Sequence, residues 1–336
     1  MVVNRSTIVV LWLFSLCPFM GWAQAERVTV HRQRAFPNQV PAGNYSGITW
    51  LGGSRYALVN DKSPQAGFYL FTIDIDSLSG RLLQVRCDTF ITSGQPNRDE
   101  EGVCFVPHNN TLFVSGESDG RLIEYQMDGT LTGRCLQVPD IFKTAYGNGG
   151  FEALTYHAAS HRFWTTSENT LRADGPMPTL QQRCTNRLRF QSFGDDMQAL
   201  DQYWYETDGS VVKASKRKGR SIMGVSGLAV LDDGRIIVLE RELYFPPSKV
   251  GSFAHVKLYV VNPSLHQPGE QLHKTLLTEF RTKMHFTSHS FANYEGICVG
   301  PRLADGSTVL LLVCDSQNQY KGYLQDWFKT VVIHSR

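Results

Sequence analysis

Five times along this chain a strand-like run opens on one small residue: Gly47, Gly102, Ala153, Gly227 and Gly296. The steps between them are 55, 51, 74 and 69 residues. Each run is followed by a turn and by further segments rich in β-branched and aromatic residues. Glu152 to Tyr156 and Arg162 to Glu168 form one such hairpin, the first two strands of the third group. Helical periodicity is nearly absent. Units of about four strands at a period of this size predict a β-propeller rather than a sandwich. The count gives five blades. A sixth could hide in the longer third and fourth units, although each yields only four strands. The last group is one strand short, and the segment around Val28 to Val30 can supply it. Joining both ends of the chain in one blade closes the ring and protects its edges.

The residue before each small position is Ser46, Glu101, Glu152, Ser226 or Glu295. The residue ending each second strand is read as Asp61, Glu117, Glu168, Glu240 or Asp315. In a propeller the innermost strand lines the central channel. The start of strand one and the end of strand two therefore gather at one mouth. Eight carboxylates are expected to converge there: Asp61, Glu101, Glu117, Glu152, Glu168, Glu240, Glu295 and Asp315. Such a cluster needs compensating charge, because like charges in one place raise their own pKa values. A hard cation with oxygen ligands, calcium above all, suits it. Neighbouring arginines such as Arg55, Arg172 or Arg241 are the alternative compensation.

The ends and the composition narrow the class. Arg5, the apolar run Ile8 to Met20 and Ala23-Gln24-Ala25 read as a signal peptide over residues 1–25, cleaved after Ala25. Leu16 before Cys17 argues against lipoprotein processing. Residues 26–336 are then expected to be one exported, monomeric domain with no membrane span. A formal charge of +2 gives no reason to expect nucleic acid, and the basic run Lys213 to Arg220 reads as a solvated loop. Cleavage leaves six cysteines: Cys87, Cys104, Cys135, Cys184, Cys298 and Cys314. Cys298 and Cys314 are the pair best placed for a disulfide. The favoured expectation is that most are small buried side chains, since no tight cysteine cluster exists. The same absence argues against zinc-thiolate chemistry. No GxSxG elbow supports a serine esterase.

Several ordered stretches resemble the phytase-like family described as "esterase-like activity of phytase". They are Asn148 to Leu154, Ser167-Glu168, Ala173 to Gly175, Leu239-Glu240-Arg241 and Asn293 to Gly296. Ala304 to Gly306, Cys314-Asp315, Asp99 to Gly102 and Ser115-Gly116-Glu117 match as well. The resemblance runs from about Asn44 to Gln319. Asn60-Asp61 and Cys314-Asp315 stand where a Ser-Asp pair is usual, and Ala153 replaces a Gly. The resemblance implies an exported propeller that hydrolyses phosphate or other esters. Metal-assisted hydrolysis is the mechanism consistent with the acids. Glu152 and Glu168 are the candidate catalytic carboxylates, with Arg172, Arg241 or Lys62 clamping the substrate. His157 and His161 fall at the far end of the third hairpin and are expected on the surface. The competing class is a non-catalytic propeller that binds a ligand or partner and holds a structural cation.

Overall fold

The structure is a computed structural model that describes residues 26–147, 150–213, 218–284 and 289–335. The expected signal peptide, Cys17, Asn148-Gly149 and residues 214–217 of the basic run lie outside the described residues.

Among the described residues, twenty-one strands build five sheets. Blade 1 is β3 (Tyr45–Gly52), β4 (Arg55–Asn60), β5 (Gly67–Ile75) and β6 (Leu82–Thr92). Blade 2 is β7 (Glu100–Val106), β8 (Thr111–Gly116), β9 (Arg121–Gln126) and β10 (Leu131–Cys135). Blade 3 is β11 (Phe151–His157), β12 (Arg162–Ser167), β13 (Arg187–Gly194) and β14 (Ala199–Glu206). Blade 4 is β15 (Arg220–Val230), β16 (Ile236–Phe245), β17 (Phe253–Val261) and β18 (Lys274–Lys283). Blade 5 is β19 (Asn293–Arg302), β20 (Thr308–Asp315) and β21 (Trp327–Ile333), completed by β1 (Val28–Val30), with β2 (Arg34–Ala35) also on β21. Every sheet is antiparallel and meandering, and the first strands β3, β7, β11, β15 and β19 touch in a closed ring. The fold is a five-bladed β-propeller.

The recurring small residue has a steric cause. A five-bladed ring is narrow, so inner strands of adjacent blades approach closely. A Cβ on Gly47 would sit 2.3 Å from the Glu101 carbonyl oxygen of the next blade. One on Gly227 would sit 2.8 Å from the Glu295 carbonyl. Between the blades, apolar side chains from facing sheets interdigitate, as Ala153, Phe190, Tyr205, Val225 and Val238 do between blades 3 and 4. Such burial is the main favourable term holding one blade to the next.

Closure follows the expected arrangement. Val28, Thr29 and Val30 pair with Ile333, Val332 and Val331. Glu26 adds an ion pair to Arg235 of blade 4 at 2.6 Å. Deleting residues 26–35 should leave β21 as a bare edge and open the ring. The expected outcome is aggregation and a lower melting temperature, measured by light scattering and thermal denaturation. A monomer with unchanged melting would refute the closure role.

The Cys298–Cys314 pairing is corrected. Cys298 lies opposite Leu311 and Cys314 opposite Tyr294, so the two cysteines stand three to four rows apart along the hairpin, too far for one bulge to align them. All six described cysteines are unpaired, and Cys104, Cys298 and Cys314 are buried. These three pack as small apolar side chains, while Cys87, Cys135 and Cys184 are only partly buried, so the expectation that most are buried holds for half of them.

Candidate functional site

One local device places the acids. Each inner strand carries a β-bulge just before its small residue: between Tyr45 and Gly47, Glu100 and Val103, Phe151 and Ala153, Val225 and Gly227, and Tyr294 and Gly296. A bulge inserts one unpaired residue and re-aims its side chain. Where that residue is serine it stitches blades: Ser46 Oγ donates to the Glu100 carbonyl at 2.8 Å, and Ser226 Oγ to the Tyr294 carbonyl at 3.2 Å. Where it is glutamate, a carboxylate enters the mouth. Glu101, Glu152 and Glu295 arrive this way.

The second strands supply the rest. Asp61, Glu117, Glu168 and Asp315 stand at matching positions, one residue past the partner of the residue before each bulge. In blade 4 the corresponding residue is Arg241, not Glu240, because Val225 pairs with Glu240 and Gly224 with Arg241. The expected eight-carboxylate ring is therefore seven carboxylates and one arginine. Glu240 is one position off and points to the opposite face. There it accepts from the Tyr205 hydroxyl at 2.5 Å and the Asp208 amide at 3.0 Å, and it pairs with Lys274 at 2.6 Å.

Arg241 is buried and joined on two sides. Its Nη1 meets Glu295 at 2.6 Å and Asn293 Oδ1 at 2.5 Å, and its Nη2 meets Glu168 at 3.1 Å. Asn293 donates in turn to Glu295 at 2.7 Å, and Asn169 to Glu168 at 3.0 Å. These contacts tie up both terminal nitrogens of Arg241, so it serves as counter-ion to the acids. Arg172 makes no contact with any of the seven acids. It lies over the Tyr146 ring at 4.8 Å and donates to the Ala145 carbonyl. Lys62 sits at the rim, 3.0 Å from Asp61 and 2.9 Å from Asp99.

The other side of the mouth has no such neutralisation. Glu101, Glu117 and Glu152 each offer an oxygen, and these oxygens all lie within 4.8 Å of one another. Glu101 is 6 % exposed and Glu152 8 %. Among the described residues no hydrogen-bond donor or cation within pairing distance meets either carboxylate, and Glu117 Oε1 and Asp61 Oδ1 are buried without a partner. Burial, then the charges of Glu152, Glu295, Asp61 and Glu117, push Glu101 well above the usual carboxylate range. Burial and Glu168 do the same to Glu152, against the pull of Arg241. Burial pushes Glu295 up to about 8 and Asp61 up to about 6. Three convergent, unneutralised carboxylates form a hard-oxygen donor set that fits calcium or magnesium.

Below the acids the channel is apolar, lined by Ile48, Val103, Leu154, Leu228 and Ile297, one from each blade. His157 lies at the far end and pairs with Ser160 Oγ and the Asp232 carbonyl on the surface. No helix among the described residues is long and apolar enough to cross a membrane.

A family model, Phytase-like, described as "Esterase-like activity of phytase", matches residues 40–317. No curated protein matches the chain. Among solved structures, endo-arabinase from Bacteroides thetaiotaomicron VPI-5482 is 12% identical, with a TM-score of 0.45, covering 88% of this chain and 95% of that one. Virginiamycin B lyase from Staphylococcus aureus is 11% identical, with a TM-score of 0.40, covering 91% and 99%. Hydrazine synthase from Kuenenia stuttgartiensis is 9% identical, with a TM-score of 0.39; the match covers 89% of this chain but 65% of that one. Identities this low carry nothing about chemistry, and the ring architecture rests on the strand pairing itself.

Proposed function

The chain belongs to the phytase-like family described as "Esterase-like activity of phytase", and from that premise we propose an exported, monomeric, metal-dependent hydrolase of phosphate or other esters. The observation that carries the proposal is the triad Glu101, Glu117 and Glu152, three convergent oxygens without a protein counter-ion. These residues would hold a divalent cation, calcium being the best match to all-carboxylate ligation. When bound, such an ion neutralises an anionic substrate oxygen and makes a coordinated water more acidic.

The remaining roles belong to the chain. Asp61 has one unpartnered oxygen and an affinity for protons near neutrality, which suits it to accept a proton from water. Lys62, exposed at the rim, can meet an anionic group of the substrate. Arg241 positions Glu168 and Glu295 and opposes the rise in proton affinity that burial gives them, a duty different from the substrate clamp that the sequence suggests. Burial of Glu101 and Glu152 also favours a second reading, a binding propeller whose ion is structural.

A hydrolysis screen over phosphate and carboxylic esters, with calcium and then with chelator, separates the two. The hydrolase should show calcium-dependent turnover that Glu101→Gln reduces about 100-fold, the upper end of what losing even an outer-shell partner of a metal ligand costs. Absence of any turnover, beside a calcium-dependent rise in stability, would leave the structural-ion reading.

A further inference from the structure

We propose a second metal site, for a late transition ion such as Zn²⁺, Ni²⁺ or Co²⁺, on the propeller face opposite the acidic mouth. Its ligands are His108, His161 and Asp195. They come from three turns: β7–β8 and β11–β12, at one end of neighbouring blades, and β13–β14 in the second of them. One donor atom of each lies within 4.8 Å of the others. His108 Nε2 is 3.4 Å from Asp195 Oδ2, and His161 Nδ1 is 2.6 Å from the same oxygen. Ligands at about 2.0–2.2 Å from a tetrahedral zinc stand roughly 3.4 Å apart. The first separation already fits. The second closes on a shared proton that an ion would replace.

The surroundings orient these donors. Tyr156, buried on β11, places its hydroxyl among all three: 3.0 Å from Asp195 Oδ1, 3.4 Å from His108 Nδ1 and 3.3 Å from His161 Nδ1. By donating to Oδ1 it leaves Oδ2 turned toward the histidines. By accepting from His108 Nδ1 it selects the tautomer whose Nε2 lone pair is free. Outer contacts of this kind fix ring orientation in metal sites. The turns are held as well. His161 adopts φ +53°, and the Asp195 carbonyl accepts from Arg134 of blade 2 at 3.2 Å. The imidazole rings sit 5.1 Å apart, half-exposed, so an ion and its remaining waters can reach them. Two imidazoles with one carboxylate select a borderline late transition ion, whereas the all-carboxylate triad at the other mouth selects a hard one. The two sites are separate in place and in chemistry.

The test is titration of the untagged chain, residues 26–336, with Zn²⁺ by calorimetry and with Co²⁺ by visible absorption. One equivalent should bind, and Co²⁺ should give ligand-field bands of a low-coordinate histidine site. His108→Ala and His161→Ala should each abolish the bands. Tyr156→Phe should keep the stoichiometry and weaken binding about tenfold, the usual effect of losing an orienting partner. His266→Ala, at the separate His266–His273 ring pair, should change nothing. The three histidine variants replace turn groups, Tyr156→Phe keeps the buried ring and removes only its hydroxyl, and a melting curve for each confirms folding. No saturable binding by folded wild type overturns the proposal. So does one-equivalent binding that survives the loss of His108 and His161, or that disappears with His266.

Discussion

Calcium should raise the melting temperature of the wild-type protein, and the rise should grow with pH. Between about pH 4.5 and 8 the ion-free folded chain holds protons on acids that release them when it unfolds. Glu295, pushed up to about 8, Asp61, pushed up to about 6, and the more strongly raised Glu101 and Glu152 all act in this direction. A raised carboxyl pKa means that the folded state binds more protons than the unfolded one, so stability falls as pH rises through this window. The ion-free protein should thus melt at a higher temperature at pH 5 than at pH 8. Asp208 works the other way only at acid pH: hydrogen bonds from Lys257 and Lys274 outweigh its burial and hold it well below its usual value. A bound cation substitutes for those protons. At free calcium about 100 times the dissociation constant, mass action contributes about 2.7 kcal/mol. For a chain of this size that is roughly 5 °C in melting temperature. Glu152→Gln keeps the volume and removes one charge. It should raise the ion-free melting temperature at pH 8 and shrink the calcium-dependent rise. Differential scanning calorimetry of both proteins, with calcium and with chelator, reads all of these. A wild-type curve indifferent to calcium at pH 8 would remove the cation, and with it the hydrolytic proposal.

The ring was legible because its constraints are local. A small residue is required wherever inner strands nearly touch, and that requirement repeats as Gly47, Gly102, Gly227 and Gly296, with Ala153 in the one blade that tolerates a methyl. Bulges leave the same trace, a serine or glutamate just before it. What sequence could not fix was register. Blade 4's hairpin runs on past the mouth to Arg220 and Phe245, so Glu240 looked like a strand end without being one. With a period of two, a slip of one residue reverses the face, which is why Glu240 and Arg241 exchanged roles. Cys298 and Cys314 are further from register, three to four rows apart, because both lie on one hairpin whose turn falls between Arg302 and Thr308. His108, His161 and Asp195 carry no shared motif and lie far apart in the chain; only blade packing brings their turns together.

Replacing Arg241 by methionine should cost the protein more than any other single change at the mouth. Methionine keeps much of the apolar stem but removes the cation that pairs Glu168 and Glu295. Glu168 and Asn293 are buried and the Glu295 side chain is only 12% exposed, and Asn293 then loses the Nη1 donor. Removing one partner of a buried ion pair costs about 3–5 kcal/mol, mostly because the remaining charge is left uncompensated. At about 2 °C per kcal/mol the melting temperature should fall by roughly 6–10 °C at pH 8. The loss should shrink at pH 5, since protonated Glu168 and Glu295 need no counter-ion. It should also shrink when Glu295→Gln is added, because the residues share one network and their effects cannot be additive. Arg241→Met and Glu152→Gln therefore shift the ion-free melting temperature in opposite directions, although both alter charge at the same mouth. An Arg241→Met protein that melts within a degree of wild type at pH 8 would show that Arg241 is not the counter-ion that holds these acids together.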